Sequence, residues 1–220
     1  MYRILQLLNP QEIDECRTIA AAAPFVHGRI TNPHNQAKDN EQLHEQKAYQ
    51  QSSQMLLQAF GRSAEFAEFA FPALIAPPLI TRYKPGMKYG AHADAAFLAM
   101  PGQTIRSDLS CTIFLNEPDS YEGGALHIRL GDGDLRFKLK PGEAILYPSD
   151  TSHEVEPVTK GERLVAITFI QSRMPDPFRR NLLFDLNEVA ALEGLKMEPQ
   201  NFSRLQLVQQ NLLRYWGEKP

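Results

Sequence analysis

The hydrophobic period changes twice along this chain. Apolar positions recur at helical spacing through the first third, alternate as in strands from about residue 75 to 172, and return to helical spacing near the end. Asn9-Pro10-Gln11-Glu12 has the chemistry of a helix start: an N-cap, a proline at the first helical position and a Glu at N3. Ile13, Cys16 and Ala20 follow at helical intervals. Residues 24–38, rich in Pro, Gly, Asn and His, predict loop. A second helix is expected over about 40–60, ending at Gly61, and a short one over 64–70, stopped by Pro72.

The middle of the chain reads as a series of short strands. Leu79–Tyr83, Leu109–Leu115, Ala125–Leu130, Leu135–Leu139, Ala144–Tyr147, His153–Pro157 and Leu164–Ile170 carry β-branched or aromatic residues between turn residues. Gly131-Asp-Gly-Asp134 is a hairpin signal. Strands at this density predict a mainly β fold with flanking helices (α+β), its core a double-stranded β-helix, that is, a jelly roll or cupin-like barrel. Helices return at Asp185–Glu193 and Ser203–Trp216, after a hinge at 173–181. The expected organisation is a helical N-terminal segment (1–72) packing on the core, a β core (73–174) and a helical tail (175–220).

Composition narrows the field. The 220 residues are 43% hydrophobic and 22% charged, ordinary for a globular protein, with a net charge of −3. That charge and the lack of a basic stripe argue against a nucleic-acid partner. No apolar run is long enough for a membrane span, and Gln6 and Asn9 interrupt any signal-peptide core. The two cysteines, Cys16 and Cys111, make neither a disulfide framework nor a zinc spacing, so a reducing cytoplasm is expected.

Candidate chemistry begins at Tyr89-Gly-Ala-His-Ala-Asp94. If residues 87–94 form a strand, His92 and Asp94 point the same way and Ala93 points away. One short segment then offers an imidazole and a carboxylate side by side, two parts of the two-His, one-carboxylate set that holds non-haem Fe(II). The third ligand must come from farther along, and the strand histidines available are His127 and His153. His127 alternates with Leu126 and Ile128 on an otherwise ordinary sheet face. His153 follows the turn Pro148-Ser-Asp-Thr-Ser and precedes a hairpin closed by Thr159-Lys-Gly161. His27, His34 and His44 have no neighbour at ligand spacing and read as solvated.

A register argument brings in Arg163. If Val158 pairs with Glu162 across that hairpin, His153 pairs with Ile167 and Pro157 with Arg163, and these four share one face. Arg163 would then lie about 13 Å along the strand from His153, a gap that a reaching Arg and a five-carbon dicarboxylate on the metal would fill.

These residues resemble the Fe(II)/2-oxoglutarate dioxygenases of the prolyl-4-hydroxylase-like group, most closely the bacterial PKHD-type hydroxylases associated with iron uptake. The similarity also takes in Arg82-Tyr83, Leu109-Ser-x-Thr-Ile-Phe-Leu115, Tyr121-Glu-Gly-Gly124, Tyr147-Pro-Ser149, Pro157-Val-Thr-x-Gly161, Gln171-Ser172 and Leu183-Phe-Asp-Leu186. Ala125 and Phe169 depart from the Glu and Trp frequent in the group; neither is a metal position. The resemblance implies Fe(II) on His92, Asp94 and His153, the distal carboxylate of 2-oxoglutarate on Arg163 with help from Tyr83, and O2 as the oxidant. Succinate and CO2 would be products, and L-ascorbate a reductant.

The substrate, a protein side chain or a small molecule such as a siderophore, is not selected by any residue pattern. Two other readings are a non-catalytic cupin-like metal or ligand sensor and an interaction protein docking through its helical ends. The stripe Phe202, Leu205, Leu212, Leu213 and Trp216 calls for a cover, for which Ile13, Ile19 and Ala20 are candidates, with homo-oligomerisation a further expectation.

Overall fold

Every position of Leu109-Ser-Cys-Thr-Ile-Phe114 is buried, the mark of a strand covered on both faces. In the computed structural model, which describes residues 1–31 and 36–218, this strand lies inside the larger of two main antiparallel sheets. That sheet runs in the order Arg3–Gln6, Glu143–Pro148, Leu109–Phe114, Arg163–Ser172, Leu79–Tyr83, Glu41–Leu43, Phe25–His27, with Pro72–Ile75 also paired to Arg163–Ser172. The smaller sheet runs Gly133–Phe137, Leu126–Leu130, His153–Val155, Lys88–His92, Lys38–Asp39. Facing each other, the two sheets form the jelly roll that the strand pattern predicts.

Strand alternation divides the core in two. Leu109, Cys111 and Ile113 point outward and pack with Ala144, Leu146, Leu164 and Ala166 against the helices. Phe114, Ile145, Tyr147 and Val165 point inward toward the smaller sheet's Leu126, Ile128 and Val155. The outer layer is closed by helices α1 (Pro10–Ala22), α2 (Gln46–Arg62) and α3 (Ala64–Ala70), which contribute Cys16, Leu56, Phe60 and Phe66. Cys16 and Cys111 are both buried, and burial pushes both thiols up, so neither is poised to react.

Local signals hold where they are strong. Helix α1 starts at a complete capping box: Asn9 Oδ1 accepts from Glu12 N at 3.0 Å and Glu12 Oε2 accepts from Asn9 N at 2.9 Å. Helix α3 spans the residues expected. The Gly131 hairpin forms with Leu130 opposite Gly133, Gly131 taking the positive φ of 62° that such a tight turn requires.

Several expectations need correction. The segment 1–72 is more than a helical cover, since Arg3–Gln6, Phe25–His27 and Glu41–Leu43 are strands of the larger sheet and Lys38–Asp39 is an edge strand of the smaller one. Residues 24–38 therefore hold strands and a 3₁₀ turn at Gly28–Thr31, and the helix expected from 40 begins at Gln46. These strands are two to four residues long, too short for periodicity to register; long-range pairing stabilises them. The strand expected over 87–94 is Lys88–His92, leaving Asp94 beyond its end. The hinge at 173–181 is mostly helix: α4 (Pro177–Glu193) starts from Asp176, whose Oδ1 accepts from Arg179 N at 2.9 Å.

The tail helix α5 (Pro199–Trp216) packs on α4, with Gln209 Nε2 donating to Asn187 Oδ1 at 2.9 Å. Ile13, Ile19 and Ala20 belong instead to the main core. Helix α4 is the tail's anchor: Leu183 is buried, and the Phe184 ring meets Phe69 edge-on at 5.5 Å. His27 and His44 are exposed, as expected; His34 lies outside the described residues.

Candidate metal centre

The jelly roll brings His92 and His153 directly opposite each other, on neighbouring strands of the smaller sheet. Asp94, two residues past His92, completes a cluster whose candidate ligand atoms all lie within 4.8 Å of one another. His92 Nε2 is 3.8 Å from Asp94 Oδ1, and His153 Nε2 is 3.5 Å from Asp94 Oδ2. Each imidazole turns its other nitrogen to the backbone: His92 Nδ1 lies 2.8 Å from Gly90 O and His153 Nδ1 3.0 Å from Thr151 O. A carbonyl only accepts, so both Nδ1 atoms carry the proton and both Nε2 lone pairs face the carboxylate. Burial pushes His92 down to about 4, and the neighbouring His153 adds to the effect. A neutral imidazole at physiological pH is a free ligand.

His127 is held elsewhere. Its ring bridges two carboxylates, with Nδ1 at 2.9 Å from Glu154 Oε1 and Nε2 at 3.0 Å from Asp134 Oδ1. It lies outside the cluster formed by the other two strand histidines.

Asp94 has a support that its sequence position does not reveal. Ser110 Oγ donates to Asp94 Oδ2 at 2.5 Å, lies 2.8 Å from Ser149 Oγ, and Ser149 Oγ is 2.8 Å from Ser107 Oγ. The proton directions follow from counting. A carboxylate cannot donate, so Ser110 spends its single proton on Asp94, Ser149 must then donate to Ser110, and Ser107 to Ser149. Three buried hydroxyls thus point their protons toward one carboxylate.

Across the cavity from the triad stands Arg163. The residue is 1% exposed, with Cζ 5.0 Å from the Tyr83 ring centroid and 5.6 Å from that of Phe114. Nε has no hydrogen-bond partner, and among the described residues no carboxylate lies within ion-pair range of it. Gly124 makes room: at φ +63°, a Cβ there would sit 2.8 Å from Val158 Cγ2 and 3.2 Å from Arg163 Cδ. Tyr83, opposite Arg163 in the ladder, accepts from Asn40 Nδ2 at 2.9 Å, and burial raises its phenol.

The expected register fails here. His153–Val155 pairs with Leu126–Leu130 and Lys88–His92, whereas Arg163–Ser172 pairs with Leu79–Tyr83 and Leu109–Phe114. The turn at 159–161 crosses from one sheet to the other instead of folding back in one ladder. His153 and Arg163 therefore line one cavity from opposite walls.

Lys38 was not singled out by sequence reasoning, yet it lines the same cavity and is only 5% exposed. Its signal is a lysine in a polar stretch, indistinguishable from a solvated one until Lys38–Asp39 pairs with Lys88–His92.

Two imidazoles and a carboxylate on one wall of a jelly roll, with a buried guanidinium on the other, define a non-haem oxygenase class. The sequence pattern of the 2OG-Fe(II) oxygenase superfamily matches residues 78–171. A PKHD-type hydroxylase of Sphingopyxis alaskensis is 59% identical over 216 residues, 98% of this chain and 99% of that one. Another, from Nitrobacter winogradskyi, is 42% identical over 221 residues, covering 98% of each chain. The fold is similar to that of a Pseudomonas putida prolyl-4-hydroxylase, with a TM-score of 0.53 and 20% identity over 78% of this chain and 92% of that one. The chain belongs to the PKHD-type hydroxylase family and is an oxygenase of the kind that uses Fe(II) and 2-oxoglutarate. No helix among the described residues is long and apolar enough to cross a membrane.

Proposed function

We propose that His92, Asp94 and His153 hold Fe(II), that Arg163 binds the distal carboxylate of 2-oxoglutarate, and that the enzyme hydroxylates a substrate bound in the same cavity. The donor set fits the metal: two neutral imidazoles and one carboxylate suit ferrous iron and leave positions for a chelating cosubstrate and O2. The single observation that carries the reading is Arg163. A buried guanidinium with no carboxylate beside it among the described residues costs several kcal/mol, and a dicarboxylate cosubstrate would supply the anion. A metal sensor would have no use for that charge.

Iron and 2-oxoglutarate supply the oxidising chemistry, in which O2 is reduced, the cosubstrate becomes succinate and CO2, and one oxygen enters the substrate. This chain's residues prepare the ground. Gly90 and Thr151 carbonyls fix the imidazole tautomers, and Ser110 fixes the carboxylate. Arg163 offers its paired N–H groups in a fork that fits a carboxylate, with Tyr83 on the same wall. Tyr147, Leu126 and Val155 keep the walls apolar. Ascorbate as the reductant that keeps iron ferrous, and a cytoplasmic setting, complete the proposal.

The test is anaerobic titration of the Fe(II)-loaded protein with 2-oxoglutarate. A metal-to-ligand charge-transfer band is expected in the wild type. With Arg163→Ala, the cosubstrate concentration needed should rise by about 100-fold or more, since an unpaired carboxylate in a buried site costs at least ~3 kcal/mol. No band in the wild type, or an unchanged titration in the variant, would refute the assignment.

A further inference from the structure

The cavity contains a second buried cation. Lys38 stands opposite Tyr89 in the ladder, and the Tyr89 ring is stacked on His92 with 3.6 Å between centroids. The ammonium lies 5.6 Å from the Tyr89 centroid, which places it in the same wall as the triad. Its described hydrogen bond is to Thr31 Oγ1, at 2.7 Å. That hydroxyl also lies 3.1 Å from Gly28 O and 3.0 Å from Gln42 Oε1, so Thr31 accepts from Lys38 and gives its own proton to one of those oxygens. Among the described residues the other two ammonium protons have no hydrogen-bond acceptor, and no carboxylate lies within ion-pair range of Lys38.

Charge counting shows what is missing. Ferrous iron, the Asp94 carboxylate and a doubly charged cosubstrate together leave one negative charge, and Arg163 cancels it. Lys38 is then one positive charge in excess, on a side chain that is itself buried. Burial pushes the amine down to about 8, with Asp94 opposing that fall, so at pH 7 it still carries most of its proton. Buried ammonium groups are retained where they meet an anion.

Building on the Arg163 assignment, we propose that Lys38 is the specificity residue for the substrate to be hydroxylated, and that this substrate presents a carboxylate or similar monoanionic oxygen group to Lys38 while 2-oxoglutarate occupies Arg163. The two cations divide the work. Arg163 lies between the Tyr83 and Phe114 rings on the larger sheet and takes the cosubstrate. Lys38 lies on the smaller sheet beside Tyr89 and His92, where it would hold a second ligand next to the metal.

The test uses the Fe(II)- and 2-oxoglutarate-loaded full-length protein without O2, with N-acetylglycine and its uncharged amide, N-acetylglycinamide, as matched probes. Perturbation of the charge-transfer band reports binding beside the metal. The wild type should bind the carboxylate about tenfold or more tightly than the amide, the discrimination expected of one charge-assisted hydrogen bond. Lys38→Met should keep the band and lose the preference, and Lys38→Arg should restore part of it. Equal binding of the two probes, a preference that survives Lys38→Met, bleaching in place of a shift, or no response up to 100 mM probe would each overturn the proposal. Absence of the band in the wild type would refute the Arg163 assignment and this inference with it, whereas a normal band with no probe discrimination refutes Lys38 alone.

Discussion

Ser110→Ala tests whether the serine chain positions Asp94 as the proposed metal carboxylate. The substitution removes one hydroxyl, the one donating to Asp94 Oδ2 at 2.5 Å, and changes no apolar contact larger than that oxygen. Two effects oppose each other. A donated hydrogen bond withdraws electron density, so its loss makes Asp94 a slightly stronger donor. Loss of the bond also frees a carboxylate that lies beyond the end of the Lys88–His92 strand, with no ladder to hold it. A hydrogen bond to a charged group is worth about 1.5–3 kcal/mol, and loss of such support typically weakens metal affinity about 10–100-fold. The positional loss therefore wins, and the Fe(II) or Co(II) dissociation constant should rise by that factor. Ser149→Ala leaves the Ser110–Asp94 bond in place and removes only its polarisation by the next hydroxyl, about 10–30% of one bond, so its effect should stay below about threefold. The assay is competitive metal titration against a chromophoric chelator, with the Co(II) ligand-field spectrum reporting coordination. A merely structural role would lower the apo melting temperature and leave metal affinity alone. Affinity within twofold of wild type for Ser110→Ala, or equal losses for Ser110→Ala and Ser149→Ala, would refute the reasoning.

Three further outcomes follow from the structure. Arg163→Met should leave the apo protein as stable as the wild type or raise its melting temperature, because it removes a buried charge that has no carboxylate partner among the described residues; a marked fall would mean that Arg163 already has an anion in the free protein. His127 is raised above its ordinary 6.5, first by the Glu154 hydrogen bond and then by Asp134. Its contribution to stability is thus complete below pH 6.5 and fades as pH rises through the raised value, so denaturant titrations should show His127→Ala flattening that slope while metal affinity stays unchanged. Leu183→Ala removes a fully buried side chain of α4 and should cost about 2–5 kcal/mol, read as a fall in melting temperature of roughly 2–4 °C per kcal/mol for a chain of this size. No measurable fall would show that the tail does not brace the core.

Much of this protein is determined locally, and that part was legible in the chain. The capping box at Asn9 needs only a side chain and a backbone three residues apart, and the Gly131 hairpin only a glycine that tolerates positive φ. The strands Leu109–Phe114 and Arg163–Ser172 were legible from their β-branched and aromatic residues, while which of their side chains face inward came only with the sheets. The spacing of His92 and Asp94 is likewise local, which is why that pair could be picked out first.

Tertiary structure decided what depends on which sheet a strand joins. A short turn at 159–161 is compatible with a hairpin or with a crossover, and nothing within it distinguishes the two. Only the pairing of Arg163–Ser172 with Leu109–Phe114 and Leu79–Tyr83 shows that Arg163 faces His153 across the cavity instead of lying along its ladder. The same holds for Lys38, Asn40 and the three serines. Ser107, Ser110 and Ser149 come from two segments about 40 residues apart, and Lys38 enters the cavity on an edge strand of two residues. A strand that short gains its stability from the neighbour it pairs with, so its position, and the charge it carries to the candidate metal centre, are set by contacts far away in sequence.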